Sequence, residues 1–262
     1  MGAAEWGADP GFFGPRHAHR EGRILGSLAR IAIAPGPHIE CAAGVGSLSM
    51  SIAAEGRQVV ATDLSLRSLA VIKKHLTDRY QVHLVVADMA RLPFRGNTFT
   101  SATSAETLEH IPDDLAAVSD LARVLAGGAS LVGTVPADPG QWSDWDLWAD
   151  HQRRYTRLSM EELLRRAGLD PMVRVWGWPI LRLYDDLFLK RVNRRRHRSA
   201  GTVEQDDTLR RISKIGKRRW LVRAVRLFFS VDYLFDGAKW GVGLLFVGTK
   251  SATGDQEVPN AP

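Results

Sequence analysis

From Gly36 to about Lys250, short apolar runs alternate with amphipathic stretches, a rhythm that predicts strands and helices in turn. The first strand is expected over His38–Ala42, followed by a glycine turn and a helix through Leu48 and Ile52. A second strand over Gln58–Asp63 leads into a helix with Leu66, Leu69, Ala70, Ile72 and Leu76 on its apolar side. The third strand falls at Val82–Ala87 and the fourth, rich in serine and threonine, at Phe99–Ser104. Pro112 is expected at a helix start, where its missing N–H costs nothing. That helix carries Leu115, Val118, Leu121, Ala122 and Leu125 and is expected to stop at Gly127–Gly128, with Ser130–Val135 as the fifth strand. Strands alternating with helices of this length indicate a parallel sheet covered on both faces.

After Pro136 the rhythm changes. Trp142, Trp145 and Trp148 fall in a stretch that reads as a loop or short helices. Ser159 and Glu162 have capping-box spacing and are expected to open a helix through Leu163, Leu164 and Ala167, ending near Gly168. A sixth strand is expected over Met172–Trp176 and a last one over Val242–Val247. Between them, residues 179–235 read as mostly helical and basic, with a break centred on Gly201.

Composition narrows the class. Apolar residues at 45% and charged residues at 24% exclude a generally disordered chain. With Cys41 as the one cysteine, neither an intramolecular disulfide nor a cysteine-based zinc site can be built. The eight histidines are scattered rather than paired at ligand spacing, so no metal is expected. No apolar run is long enough to span a bilayer, and the first residues lack the pattern of a signal peptide, so the expected location is cytoplasmic. The net charge of +6 is unevenly placed: Lys190–Arg226 holds 14 basic and three acidic residues, a local +11 that leaves −5 for the remainder.

Candidate chemistry gathers at the ends of the first three strands. Gly44 and Gly46 follow the first strand, and glycine there allows a backbone to approach a ligand closely. Asp63 ends the second strand, where a carboxylate can accept both ribose hydroxyls of an adenosine cofactor. Asp88 follows the third strand, beside the same crevice. Each has a plainer reading alone, as a tight turn or a helix cap; together, at consecutive strand ends, they mark a ligand site.

On these residues the chain resembles the class I S-adenosylmethionine-dependent methyltransferases, in particular the small-molecule branch with the ubiquinone and menaquinone C-methyltransferases. The resemblance covers roughly residues 12 to 250 and implies a Rossmann-like, doubly wound, mostly parallel seven-stranded sheet. It also implies an antiparallel last strand, here with a helical insertion between strands six and seven. The family's acidic residue and three spaced glycines fall on Glu40, Ala42, Gly44 and Gly46, so the first glycine is replaced. Asp63 takes the ribose position with Leu64 beside the adenine, and Asp88 and Met89 take the positions at the adenine amine and ring face. The stretch from Ala105 to Ile111 matches the segment after strand four, whose early part, from Ala105, approaches the methionine end of the cofactor. The implied cofactor is S-adenosyl-L-methionine.

The methyl group on a sulfonium is already activated, so such a protein must chiefly orient the acceptor and exclude water. His110 and His151 are the candidate bases where the acceptor must lose a proton, and Trp145, Trp148 and Tyr155 are candidate walls of the acceptor site. Phe12–Arg20 occupies the place where family members cover the cofactor. The expected division is a cap over 1–35, a core of 36–178 and 236–250, a basic helical lid over 179–235 and a flexible tail over 251–262. The expected acceptor is a small, largely apolar molecule, aromatic, prenylated or anionic, of specialised-metabolite biosynthesis. Residues 190–229 suit an anionic substrate or a peripheral membrane surface; nucleic acid ranks last, because no recognisable binding module accompanies the charge. A nucleic-acid methyltransferase and a non-catalytic scaffold member are the alternative readings. Oligomeric state is not written in the sequence.

Overall fold

A computed structural model describes residues 14–189 and 219–252. Strands β1 (His38–Cys41), β2 (Val59–Asp63), β3 (Val82–Val86), β4 (Phe99–Ala105), β5 (Leu125–Pro136), β6 (Leu169–Trp176) and β7 (Gly243–Lys250) form one sheet in the order β3-β2-β1-β4-β5-β7-β6. The pairs β1–β2, β2–β3, β1–β4 and β4–β5 are parallel. β7 enters antiparallel between β5 and β6. The order reverses at β1, so the carboxyl ends of β1 and β4 flank the crevice where such sheets bind ligands. This is the expected architecture.

Helices α1 (Pro15–Leu28), α2 (Ser47–Ala54), α3 (Leu66–His75), α4 (Asp114–Val124), α5 (Asp144–Trp148), α6 (Arg157–Arg166), α7 (Ile180–Tyr184) and α8 (Arg219–Phe229) accompany the sheet among the described residues. Successive strand side chains point to opposite faces, which divides the core in two. Leu244 and Phe246 of β7 join Leu131, Leu121 and Leu164 on one face, whereas Leu245 and Val247 join Ile24, Ile52, Trp176 and Phe229 on the other. The serine and threonine content of β4 has a cause in packing: His38, fully buried on β1, places its ring between Ser101 Oγ (2.8 Å) and Thr103 Oγ1 (2.9 Å). Burial pushes the pKa of that imidazole down to about 3, so it is a neutral tie between two strands.

Four boundaries differ from the sequence reading. Asp113 caps α4 by accepting from the Ala116 N–H, so Pro112 precedes the helix. Leu125 and the following glycines belong to β5, not to that helix. Leu125 pairs with Phe99 and Ser130 with Ser101, and the ladder slips in between, where Gly128 has φ +79°. The capping box lies three residues earlier than expected, with Thr156 and Ser159 exchanging hydrogen bonds before α6. β6 begins at Leu169 because β7 runs on to Lys250 and continues to pair with it. The Gly201 break, Phe12–Phe13 and most of the expected tail lie outside the described residues.

Candidate active site

The turn after β1 forms the floor of a cavity of about 1000 Å3. Ala42, Gly44 and Gly46 all have positive φ, at 56°, 55° and 79°. A left-handed conformation costs an alanine roughly 1–2 kcal/mol that glycine avoids, so the sequence change at Ala42 preserves the turn with local strain. Gly46 is fixed by packing as well: a Cβ there would lie 2.7 Å from Ile72 Cγ1 of α3. At Gly44 a Cβ would meet none of the described residues within 4 Å, leaving the backbone open to a ligand. The Gly44 N–H donates to Asp63 Oδ2 (2.9 Å) and the Ser65 N–H to Asp63 Oδ1 (2.7 Å), so the carboxylate ties β2 to the turn. Each of its oxygens retains acceptor capacity.

Of the cofactor residues expected from sequence, Glu40, Ala42, Gly44, Asp63, Leu64, Asp88, Met89 and Ala105 line this cavity. Gly46 lies outside the lining, behind the turn, where it caps α2. Leu64 is exposed and Met89 is buried with Ser104 beside its sulfur. Glu40 is buried and accepts from Ser49 Oγ; burial pushes its carboxyl up to about 8 despite that bond. Arg16, His17, Arg20 and Glu21 of α1 close another side. His17 Nε2 lies 2.9 Å from Glu21 Oε1 and 3.2 Å from Ser47 Oγ, and Arg20 pairs with Glu106 at 3.5 Å, fastening α1 across the turn.

At the other end the cavity reaches His110, His151 and Trp145. The two imidazoles meet edge to face with centroids 4.7 Å apart. His151 Nδ1 lies 2.8 Å from Asp146 Oδ1, and among the described residues Nε2 has no hydrogen-bond partner. Asp146 is fully buried and also receives Arg154 Nε (2.7 Å), the Ser143 N–H (2.8 Å) and Ser143 Oγ (2.9 Å). Burial favours its protonated form, but His151 and Arg154 outweigh that and hold it well below the usual carboxylate range. Glu109, fully buried, has no hydrogen-bond partner at either carboxyl oxygen among the described residues, and burial with nearby Glu106 pushes its pKa well up.

Ligand atoms of Glu109, His110 and His151 all lie within 4.8 Å of one another. One carboxylate and two imidazoles are a donor set that suits a divalent cation. The scattered spacing of the histidines had given no hint of this grouping, because 41 residues separate His110 from His151 and only the loop after β5 returns the second to the first. Asp146, Glu109, Arg154 and the pair Asp185–Asp186 also line or support this end without having been singled out. A carboxylate five residues before a histidine in a tryptophan-rich loop carries no signal by spacing. Trp148 stacks on Trp145 at 4.7 Å from outside the lining. Tyr155 is buried beyond it, donating its hydroxyl to Asp114 Oδ2 at 2.7 Å, so its visible role is to anchor the start of α6 to α4.

Residues 39–133, which include the turn, Asp63, Asp88 and Glu109, match the methyltransferase domain family. Over those residues the chain carries a methyltransferase domain. It is 32% identical over 110 residues to a demethylmenaquinone methyltransferase of Clavibacter sepedonicus, covering 42% of this chain and 45% of that one. It is 27% identical to a ubiquinone biosynthesis O-methyltransferase of Cereibacter sphaeroides, covering 68% of this chain and 86% of that one. The fold matches phosphoethanolamine N-methyltransferase 2 of Haemonchus contortus, solved in complex with S-adenosyl-L-methionine. That match has a TM-score of 0.60 and 18% identity, over 88% of this chain and 52% of that one. The chain thus spans less than half of the first of these relatives. The methyltransferase turn, with Gly44 open and Asp63 beside it, fits the cofactor of the family.

Proposed function

We propose that the chain transfers the methyl group of S-adenosyl-L-methionine to a small, largely apolar acceptor, aromatic, prenylated or anionic, in specialised-metabolite biosynthesis. The reading is carried by one observation: a single cavity joins the glycine turn and Asp63 to a distal end built from His110, His151 and Trp145. The names of the quinone-pathway relatives support an acceptor of this kind.

The bound cofactor supplies an electrophilic methyl group, and the chain's residues do the rest. Asp63 would accept the ribose hydroxyls, Leu64, Asp88 and Met89 would border the adenine, and Glu40 and Ala105 would border the methionine portion. Trp145 forms an apolar wall that excludes water, which strengthens the interactions inside. Asp146 fixes the orientation of His151, whose Nε2 receives the proton that a hydroxyl or amine acceptor releases. Residues 1–35 act as the cap over the cofactor and 179–235 as the lid that selects the acceptor; Arg16 of α1 and Asp185, 3.1 Å apart, join the two.

Calorimetric titration with S-adenosyl-L-methionine and its demethylated product, with NAD as a control, tests this reading. Binding of both adenosyl ligands and none of NAD is expected, followed by methyl transfer to prenylated or aromatic phenols. Failure of both to bind would remove the enzymatic reading in favour of a scaffold.

A further inference from the structure

The helix α8 continues through a tighter helical turn over Ser230–Phe235, and this continuous segment presents the wrong face to solvent for an ordinary surface helix. Its inward positions are fixed. Phe229 is buried against His19 (5.5 Å between ring centroids) and Tyr184 (5.3 Å). Asp232, fully buried, accepts from the Ile180 N–H (2.8 Å) and the Leu181 N–H (2.9 Å) at the start of α7. Those two anchors decide the rotation, and they turn Leu227, Phe228, Val231, Leu234 and Phe235 outward with exposures of 72, 68, 42, 82 and 45%. Turning this stripe inward would pull Asp232 away and orphan two buried backbone donors, at a cost that hydrophobic burial must first overcome.

We infer that this stripe is a docking face for an anionic lipid bilayer. The inference rests on the proposed function and extends it by naming the surface from which an apolar acceptor would be drawn. Spaced apolar side chains on one helical face beside a basic stretch are the composition of an interfacial helix. The helix itself carries Arg219, Arg223 and Arg226, and in the sequence the stretch Lys190–Arg226 that ends beside Leu227 carries +11. That charge favours an anionic surface and opposes apposition of two copies of the same chain. Trp240, five residues beyond the stripe in the chain, is 62% exposed with its ring tilted against Trp178 (5.7 Å between centroids), an amphipathic ring of the kind enriched where membrane meets water. The segment also packs on α7, which exposes Leu183 while Arg182 and the following Asp185 line the cavity. The helix that carries the stripe therefore packs its opposite face on the segment that walls the cavity.

Flotation of the full chain with vesicles tests it, comparing phosphatidylcholine alone with phosphatidylcholine containing phosphatidylglycerol. Binding to the anionic vesicles is expected, with little to the neutral ones and a decline as salt rises. The double variant Phe228→Asp, Leu234→Asp should lose at least about tenfold in partitioning, which corresponds to roughly 1.4 kcal/mol. Its affinity for S-adenosylhomocysteine should be unchanged, which shows that the fold has survived. Wild-type protein that stays with the buffer, or a variant that floats as well as wild type, overturns the inference. So does a wild-type dimer that the double variant dissociates, since the stripe would then face a second copy. The methyltransferase reading fails separately, through loss of adenosyl-ligand binding whatever the vesicles show.

Discussion

The two ends of the cavity are built on different terms. At the cofactor end, each functional residue sits within a few positions of a strand terminus, and hydrogen bonds between Asp63, Gly44 and Ser65 hold the turn before any ligand arrives. At the acceptor end, His110 comes from the segment after β4, His151 and Trp145 from the loop after β5, and Arg182 and Asp185 from the segment around α7. No two of these three segments are adjacent in the chain. The first end is a local motif that the sheet merely displays, and the second exists only because three separate excursions return to one place. Substitutions should therefore separate binding from turnover, depending on which end they strike.

The largest effect is expected at the distal end. His151→Ala should lower the rate of methyl transfer to a hydroxyl acceptor by about 10²–10⁴-fold, the usual contribution of general acid–base catalysis. Its affinity for S-adenosyl-L-methionine should match wild type by calorimetry; an equal loss of both would break the separation between the two ends.

Glu40 gives a pH-dependent contrast at the near end. Its folded pKa of about 8 lies above the ordinary carboxylate value, so its contribution to stability is fully present at acid pH and is lost as pH rises through about 8. Replacing it with the neutral Glu40→Gln removes that loss. The ligand-free variant should then be more stable than wild type by a few kcal/mol at about pH 9 and nearly equal at about pH 4. Thermal unfolding at the two pH values reads the difference, and a gain confined to the acid side would contradict the buried, protonated carboxyl.

Asp63→Ala should weaken cofactor binding by about 2–3 kcal/mol, through loss of hydrogen bonds to a charged acceptor. It should also lower the melting temperature, because the Gly44 and Ser65 N–H groups lose their partner. Calorimetry and thermal unfolding together show whether the turn is preorganised; weakened binding with an unchanged melting temperature would argue that it is not.

The smallest effect sharpens the comparison most locally. Ala42→Gly should stabilise the chain slightly, by about 1 kcal/mol or less, since relief of the left-handed strain is partly offset by the greater freedom of an unfolded glycine. A destabilised variant would show that the alanine methyl is packed more usefully than its backbone angles suggest.

The sheet and its helices were legible because hydrophobic periodicity acts over a few residues and the two faces of each strand are either apolar or not. Boundaries failed where a longer-range contact overrode local preference. Leu125 continues a helical pattern by spacing, yet its pairing with Phe99 makes it the first residue of β5. The site divides the same way. Glu40, Gly44, Asp63 and Asp88 could be found in the sequence, since a parallel sheet automatically brings the ends of its neighbouring strands together. Asp146 behind His151, and Glu109 beside both histidines, carry no spacing signal.

By itself, then, the sequence determined the order of strands and helices, the strand-end cofactor motif and the basic character of the stretch before α8. Tertiary structure alone decided that two histidines 41 residues apart meet. It also decided that Tyr155 points to Asp114 rather than into the cavity, and that an apolar stripe faces outward. The physical reason is the range of the forces involved. Periodicity and turn chemistry are settled among near neighbours, whereas the rotation of α8 and the meeting of the imidazoles follow from buried hydrogen bonds that close only after the loops have folded back on the sheet.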